Sequence, residues 1–113
     1  MAFDAVLKMT PAGVAIITLS GELDASVADN FRSEIQKATN QGARRLVLMV
    51  KDLSYMASAG LRVLIFAKQK MGSNVDLYVV EPQEAIREVI TMTGFTQSVI
   101  ILDEYNAAEI ESV

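Results

Sequence analysis

The sequence predicts a single α/β domain in which an N-terminal β-hairpin is followed by βαβ units. The chain has 113 residues, a length that suits one compact domain. After the first turn, apolar runs of strand length alternate with segments of helical periodicity, which is typical of parallel strands joined by right-handed crossovers. We therefore expect residues 1–113 to form a mixed, mostly parallel sheet of about five strands with about four helices.

The first two strands are predicted to pair as a hairpin. Residues Phe3–Met9 and Val14–Leu19 have strand-like composition, and the second run is rich in β-branched side chains. The connection, Thr10–Gly13, is short and contains Pro and Gly, so it favours antiparallel pairing of the two strands. The residues that follow, Gly21–Asp24, are predicted to form a loop.

A helix is predicted to begin at Ser26 and to end at Gln41-Gly42. Ser26 is a suitable N-cap, and Asp29 places a negative charge near the exposed N–H groups of the first turn. One side of this segment is apolar at the spacing of a helix face that packs on a sheet. This predicted face consists of Val27, Phe31, Ile35 and Ala38.

The central strand and the helix after it are predicted to be the most buried elements. Leu46–Val50 is an unbroken apolar run, as expected of a strand covered on both faces. Residues Lys51–Ala57 lead out of this strand, and a helix begins near Ser58 and ends at residues 72–74. Because its opening turns contain a single polar residue, Arg62, we expect Arg62 to mark a narrow exposed edge.

The C-terminal part is predicted to contain two more strands and two more helices. Val75–Val80 is a strand, and Glu81-Pro82 begins a helix with Pro at a favoured early position. Gly94 supplies the C-terminal stop of that helix. Val99–Leu102 is a last short strand, and a final acidic helix runs from residue 103 or 104 to residue 113.

The composition excludes several kinds of chemistry. With no Cys and no His, the chain cannot form a disulfide, a thiolate zinc site, a Ser-His catalytic pair or a His-containing metal site. The 10 Lys+Arg and 14 Asp+Glu give a formal net charge of −4, without the basic cluster that nucleic acids and anionic membranes require. No signal peptide and no apolar run near the roughly 20 residues of a membrane span occur. We expect a cytoplasmic protein that binds neither nucleic acid nor membrane.

Three predicted loops follow the carboxyl ends of parallel strands, where α/β sheets meet their ligands and partners. They are Gly21–Ala25, Asp52–Ala59 and Glu81-Pro82, and we expect the three to converge on one rim of the sheet. A carboxylate pair in these loops, such as Asp24 with Asp52, could hold Mg²⁺ or act as acid and base in a small hydrolase or transferase. Carboxylates in such loops are more often helix caps and solvated surface. No phosphate-binding glycine motif and no nucleophile-elbow motif is present.

Ser58 is the candidate functional residue, and it has two compatible interpretations. It lies where a strand gives way to a helix, so its hydroxyl could simply cap the helix. Its neighbours Ala57, Ala59 and Gly60 have almost no side chain, so another protein's active site could approach the hydroxyl. A phosphate on Ser58 would lie at a helix N-terminus, where free N–H groups and the helix dipole favour anions.

The segments Gly21–Asp24 and Asp52–Leu61, at this spacing, resemble those of the anti-sigma factor antagonists. These are single-domain members of the STAS group, whose fold is shared with C-terminal domains of sulfate transporters. The resemblance extends through Thr93–Phe95 and covers nearly the whole chain. It implies a STAS-like fold and a binding protein that is not an enzyme. It implies no cofactor, because the partner binds the nucleotide.

In this family the serine that matches Ser58 is phosphorylated by a partner that is both an ATP-dependent serine kinase, with a histidine-kinase-like ATPase fold, and an anti-sigma factor. The resemblance implies that the unphosphorylated chain binds this partner and frees a sigma factor, which regulates transcription indirectly. The phosphorylated chain lets go, and a serine phosphatase resets it. Two residues depart from the family pattern, because Ala57 replaces a common Asp and Ala59 a frequent Ser or Thr.

The expected partner-facing surface surrounds Ser58. Four of its residues could offer modest apolar contact, namely Leu23, Tyr55, Met56 and Leu61. Glu22 and Asp24 would give charge complementarity, and a basic group of the kinase could pair with Asp24. Met56 could be either a core residue or a contact. The full expected set is Glu22, Leu23, Asp24, Tyr55, Met56, Ala57, Ala59, Gly60, Leu61 and Arg62. The alternative within the same fold is a constitutive scaffold of a signalling complex, with Ser58 only a cap.

Overall fold

The computed structural model describes residues 3–72 and 74–112, with the backbone alone described for residue 96. Within these residues one sheet has its strands in chain order, and four α-helices and two short 3-10 turns complete the fold. The strands are β1 Asp4–Met9, β2 Val14–Leu23, β3 Arg45–Met56, β4 Asp76–Val80 and β5 Ile100–Leu102. The helices are α1 Ala28–Asn40, α2 Ser58–Met71, α3 Glu84–Met92 and α4 Ala107–Ile110.

The predicted α/β architecture is confirmed. Strands β1 and β2 form the antiparallel hairpin, with pairs from Asp4–Ser20 to Met9–Ala15. The other neighbouring strands are parallel. The turn is closed by the Thr10 amide, which donates to the Val14 carbonyl over 2.9 Å.

Strands β2 and β3 are longer than the sequence predicts. The residues predicted as a loop after Leu19 continue β2 to Leu23, and those predicted to lead out of the central strand continue β3 to Met56. The two extensions pair with each other, Gly21 beside Leu53 and Leu23 beside Met56. The loop prediction is wrong because the backbone remains paired through two register shifts, one of them beside Gly21, whose φ of 87° favours glycine.

The predicted helix starts also need correction. Asp24, and not Ser26, caps the entry to the first helix, where a 3-10 turn over Ala25–Val27 precedes α1. Helix α3 begins at Glu84, because Glu81 has a φ of 57° that a right-handed helix excludes. Helix α4 begins at Ala107 after an Asn106 cap. Helix α2 ends at Met71 with Gly72 as its C-cap, within the predicted stop at residues 72–74, of which residue 73 lies outside the described residues. Helix α4 ends at Ile110 with Glu111 as its C-cap, so it is shorter than the predicted helix, whose end at Val113 lies outside the described residues.

The larger core lies between the sheet and α1, α2 and α3. Phe31, Ile35 and Ala38 of the predicted α1 face are fully buried, whereas Val27 is half-buried. A smaller cluster on the other sheet face packs under α4, with Val47 and Ile110 at its centre. Arg45 holds α4 in place by donating to the carbonyls of Glu109 and Ile110. Helix α2 buries Gly60, Leu61, Val63, Leu64 and Ala67. Arg62 is exposed as predicted, but its face of the helix is wider than the predicted narrow edge, because Ile65 is exposed as well.

Candidate functional site at the start of helix α2

The extended ends of β2 and β3 bring two of the predicted loop segments side by side. Glu22 pairs with Tyr55 and Leu23 with Met56. The Ala57 amide then donates to the Leu23 carbonyl over 2.8 Å, and α2 begins at the next residue. The last residues of β2 and the first turn of α2 therefore form one continuous surface.

The third predicted loop segment does not join this surface. Pairing of β3 with β4 ends at Met49–Val80, and the Gln83 side-chain amide donates to the Lys51 carbonyl over 2.8 Å. The strand from Lys51 to Ala57 advances about 20 Å at the usual rise per residue. The expectation that all three loops converge is wrong, because β3 runs on past the end of β4.

Ser58 is exposed and is the first residue of α2. The N-cap is Ala57, whose backbone is extended with φ −78° and ψ 167°. The interpretation of Ser58 as the cap is wrong, because the helix starts one residue earlier than a Ser58 cap requires. Among the described residues, no hydrogen-bond partner accepts from or donates to the Ser58 hydroxyl, which is therefore open to another protein.

The first turn of α2 has no side-chain cap, because Ala57 carries no acceptor. The amides of Gly60 and Leu61 donate to the Ala57 carbonyl over 2.9 and 3.2 Å. The amides of Ser58 and Ala59 have no acceptor within the helix, and they lie at the positive end of the helix dipole. An anion carried by Ser58 would meet N–H groups that no carboxylate at position 57 already occupies.

The expected partner-facing residues divide into surface and support. Tyr55 is 48% exposed, Glu22, Ser58 and Arg62 are exposed, and Asp24 is partly exposed, as are Ala57 and Ala59. The others lie inside: Leu23, Met56 and Leu61 are at most 7% exposed, and Gly60 is buried.

The expectation of apolar contact from Leu23, Met56 and Leu61 is therefore wrong for their side chains. They face inward because the paired ends of β2 and β3 and the α2 face turned toward the sheet continue the main core. These residues support the exposed surface from below. The alternative in which Met56 is a core residue is the correct one.

Asp24 is a fixed negative charge at the entry to α1. Its Oδ1 accepts from the Ser26 hydroxyl over 2.5 Å and from the Ser26 amide over 2.9 Å. The hydroxyl contact is the largest influence holding the pKa of Asp24 below its usual value. Asp24 is therefore ionised at neutral pH, one residue beyond the end of β2.

The carboxylates that suggested an active site are not brought together. Asp52 pairs with Ser20, and Asp24 lies beyond the Leu23–Met56 pair, so about four strand residues, or about 13 Å, separate their positions along the sheet. Within residues 3–72 and 74–112, no group of three or more acidic side chains is arranged to hold a metal ion.

Two features of the surface were missed by the sequence analysis. Ser26 was considered a cap and is instead the hydrogen-bond donor to Asp24. Ile65 is 38% exposed on α2. It lies on the same helix face as Ser58 and Arg62, since Arg62 follows Ser58 by four positions and Ile65 follows Arg62 by three. That spacing is visible in the sequence, but the apolar run around Ile65 indicates burial on all sides.

In the part of the chain that the structure describes, no helix has the length and apolar character needed to cross a membrane.

Comparison with known proteins agrees with this architecture. The family model described as the STAS domain matches residues 6–108. The chain is 32% identical to the anti-sigma F factor antagonist of Paenibacillus polymyxa over an alignment of 108 positions, which covers 89% of this chain and 90% of that protein. An anti-sigma factor antagonist structure from Mycobacterium paratuberculosis matches with a TM-score of 0.85 and 22% identity, covering 96% of this chain and 92% of that one.

The Bacillus protein SpoIIAA has the same fold in two chemical states. Its unphosphorylated form matches with a TM-score of 0.76 and its phosphorylated form with 0.69, each at 23% identity over 96% of this chain. The matches cover 91% and 95% of the two SpoIIAA chains. From the family match over residues 6–108, this chain belongs to the STAS domain family.

Proposed function

We propose that this protein is an anti-sigma factor antagonist whose binding is switched by phosphorylation of Ser58. The observation that carries the proposal is the exposed Ser58 hydroxyl at the first residue of α2, flanked by the small residues Ala57, Ala59 and Gly60. The Paenibacillus polymyxa relative is an anti-sigma F factor antagonist, and SpoIIAA is an anti-sigma factor antagonist with a phosphorylated form. Both support the same assignment here.

The unphosphorylated chain binds an anti-sigma factor through the surface around Ser58. The exposed ring of Tyr55 supplies apolar area, and Asp24 and Glu22 supply negative charge to a basic group of the partner. Arg62 adds a positive charge one turn further along α2. Occupation of the anti-sigma factor by this surface frees the sigma factor, so the chain regulates transcription without contacting DNA.

The partner is also the kinase and binds the nucleotide, so this chain needs no cofactor. The Ser58 Oγ attacks the γ-phosphorus of ATP, the bond from that phosphorus to the bridging oxygen breaks, and ADP leaves. The hydroxyl proton passes to a base of the kinase. A serine phosphatase reverses the change with water, which restores the hydroxyl and releases inorganic phosphate. ATP and sigma factors place this cycle in the cytoplasm.

Phosphorylation expels the partner because it adds about −1.5 to −2 charges at the centre of the docked surface. Burying that charge without a matched cation in the partner costs several kcal/mol, and about 4 kcal/mol corresponds to a thousandfold loss of affinity.

The proposal is tested with an anti-sigma factor kinase of the same organism. Incubation with ATP should give a band shift in phosphate-affinity electrophoresis that Ser58→Ala abolishes. In a binding titration Ser58→Ala should bind in the presence of ATP, and Ser58→Asp should bind more weakly. Ser33, an exposed serine on α1, provides the control, since Ser33→Ala and Ser33→Asp should behave as wild type. Wild-type affinity of both Ser58 variants would instead indicate a constitutive scaffold.

A further inference from the structure

Arg62 lies one helical turn after Ser58 on the same exposed face of α2. The two residues are four positions apart, so their side chains are neighbours on the helix surface. Both residues are exposed, whereas Gly60, Leu61, Val63 and Leu64 around them are buried. The face turned away from the core thus presents the hydroxyl and the guanidinium side by side.

The guanidinium of Arg62 is not used by the fold. Among the residues that the structure describes, none accepts a hydrogen bond from Arg62, forms an ion pair with it or stacks against it. Arg32 and Arg87 differ from Arg62 in this respect: Arg32 lies 4.8 Å from the centre of the Phe66 ring, and Arg87 donates to Asp103 over 3.1 Å. Helix α2 contains no acidic residue that would compete for Arg62.

We propose that Arg62 is the internal counter-ion of the phosphate on Ser58. The inference rests on the proposed phosphorylation of Ser58. A guanidinium presents parallel N–H donors that match two oxygens of a phosphate. An anion placed four residues before a cation also follows the favoured order of charges along a helix.

The pairing changes the docking surface at two positions instead of one. In the unphosphorylated chain Arg62 is available to an acidic group of the partner. In the phosphorylated chain its donors are turned toward position 58, and the partner loses that contact as well as meeting the phosphate. Because Ala57 bears no carboxylate, no like charge at the preceding residue opposes this arrangement.

The test uses the full chain with phosphoserine incorporated at position 58 during synthesis, so that no kinase is needed. Phosphorus-31 NMR follows the second ionisation of the phosphate with pH. Arg62 favours the dianion, so Arg62→Gln should raise the midpoint by about 0.2 to 0.4 of a pH unit. Arg62→Lys should raise it less, because the charge remains while the paired donors are lost.

Lys70 supplies the matched control, since it is an exposed cation on the same helix, twelve residues from Ser58. Lys70→Gln should leave the midpoint within about 0.1 of a pH unit, because that distance exceeds the screening length at physiological salt. Equal midpoints in Arg62→Gln and wild type would overturn the inference. Thermal unfolding of the unphosphorylated variants checks that all of them fold.

Failure of this inference is distinguishable from failure of the proposed function. If the kinase modifies Ser58 but Arg62→Gln leaves the phosphate midpoint unchanged, the switch stands and Arg62 is not its counter-ion. If the incorporated phosphoserine shows the Arg62-dependent midpoint but no anti-sigma factor kinase modifies Ser58, the electrostatic pairing stands and the proposed function is wrong.

Discussion

Leu23 leaves no room for a side chain on Gly60. A Cβ atom built on Gly60 would lie 2.7 Å from Leu23 Cγ and 2.8 Å from Leu23 Cδ2. Leu23 is fully buried, and its carbonyl accepts from the Ala57 amide. The end of β2 and the start of α2 are therefore in direct contact, and this contact determines where Ser58 is presented.

Gly60→Ala should destabilise the protein by about 1 to 3 kcal/mol, the usual cost of forcing an extra carbon into a packed core. In an unhindered helix the same change would stabilise by up to about 1 kcal/mol, because Ala is the better helix former. The sign of the change in the free energy of unfolding therefore separates steric conflict from helix propensity. Urea unfolding measures this change.

Ser58→Ala is the control for Gly60→Ala, because it alters the same helical turn at an exposed position. It should change the free energy of unfolding by less than about 0.5 kcal/mol. Unchanged or increased stability of Gly60→Ala would show that Leu23 moves aside without cost.

Ala57→Asp should stabilise the unphosphorylated protein by about 0.5 to 2 kcal/mol. Ala57 already has the extended backbone of an N-cap, and the helix has no side-chain cap. An Asp carboxylate at this position can accept from the amides of the first turn and face the positive end of the helix dipole. Thermal or urea unfolding gives the comparison, and Ala57→Leu, which has no acceptor, should give no such gain.

The same substitution should reduce the stability that phosphorylation of Ser58 adds. The carboxylate would occupy the amides that the phosphate otherwise meets, and the two anions would repel each other. The comparison is the difference in unfolding midpoint between phosphorylated and unphosphorylated forms, in the Ala57 chain and in Ala57→Asp. A larger difference in Ala57→Asp would contradict this account of the helix start.

The order of elements was predictable because hydrophobic periodicity decides it. The pattern that continues β2 was also present, since Leu19, Gly21 and Leu23 face the core and Ser20 and Glu22 alternate with them. This alternation did not predict a strand, because Gly21 is typical of loops and nothing in the sequence shows that β3 extends far enough to pair there. Such pairing depends on the neighbouring strand and not on local residues.

The start of helix α2 was predicted to within one residue. Serine is a common N-cap, so residue type alone favours Ser58 as the cap. The backbone angles decide which residue is the cap: Ala57 has an extended backbone, and Ser58 is already helical. Likewise, the apolar character of Leu23, Met56 and Leu61 fits both contact and core, and only their orientation in the structure separates the two.

Ser26→Ala should raise the pKa of Asp24 toward 3.8, its usual value, because the Ser26 hydroxyl is the main group that lowers it. Carbon-13 NMR of the Asp24 carboxyl during an acid titration measures this. Because the pKa of Asp24 is lower in the folded than in the unfolded chain, its contribution to stability is present above pH 3.8 and is lost as the pH falls through the folded-state pKa.

Ser26→Ala should therefore have a lower free energy of unfolding than wild type at neutral pH. The difference between the two free energies should become smaller in acid below pH 3.8. Ser33→Ala again serves as control, because Ser33 lies on an exposed face of α1 away from Asp24. A gap that stays constant down to strongly acidic pH would mean that Ser26 stabilises the protein by some route other than the Asp24 carboxylate.

Glu81→Gly should stabilise the protein relative to Glu81→Ala by about 1 kcal/mol. Glu81 has a φ of 57°, the region that glycine adopts without strain and other residues enter at a cost. Its amide donates to the Leu102 carbonyl over 2.8 Å, which holds the backbone in this conformation. Comparison with Ala separates the backbone effect from loss of the Glu side chain, and urea unfolding measures the stability of both variants.

Glu84→Gly is the control and should have the opposite effect, because Glu84 begins the right-handed helix α3 and Gly there should destabilise the protein by up to about 1 kcal/mol. If Glu81→Gly has a lower urea midpoint of unfolding than Glu81→Ala, the backbone of residue 81, just after β4, is not strained. The positive φ would then not explain why α3 starts at Glu84, three residues later than the sequence predicts.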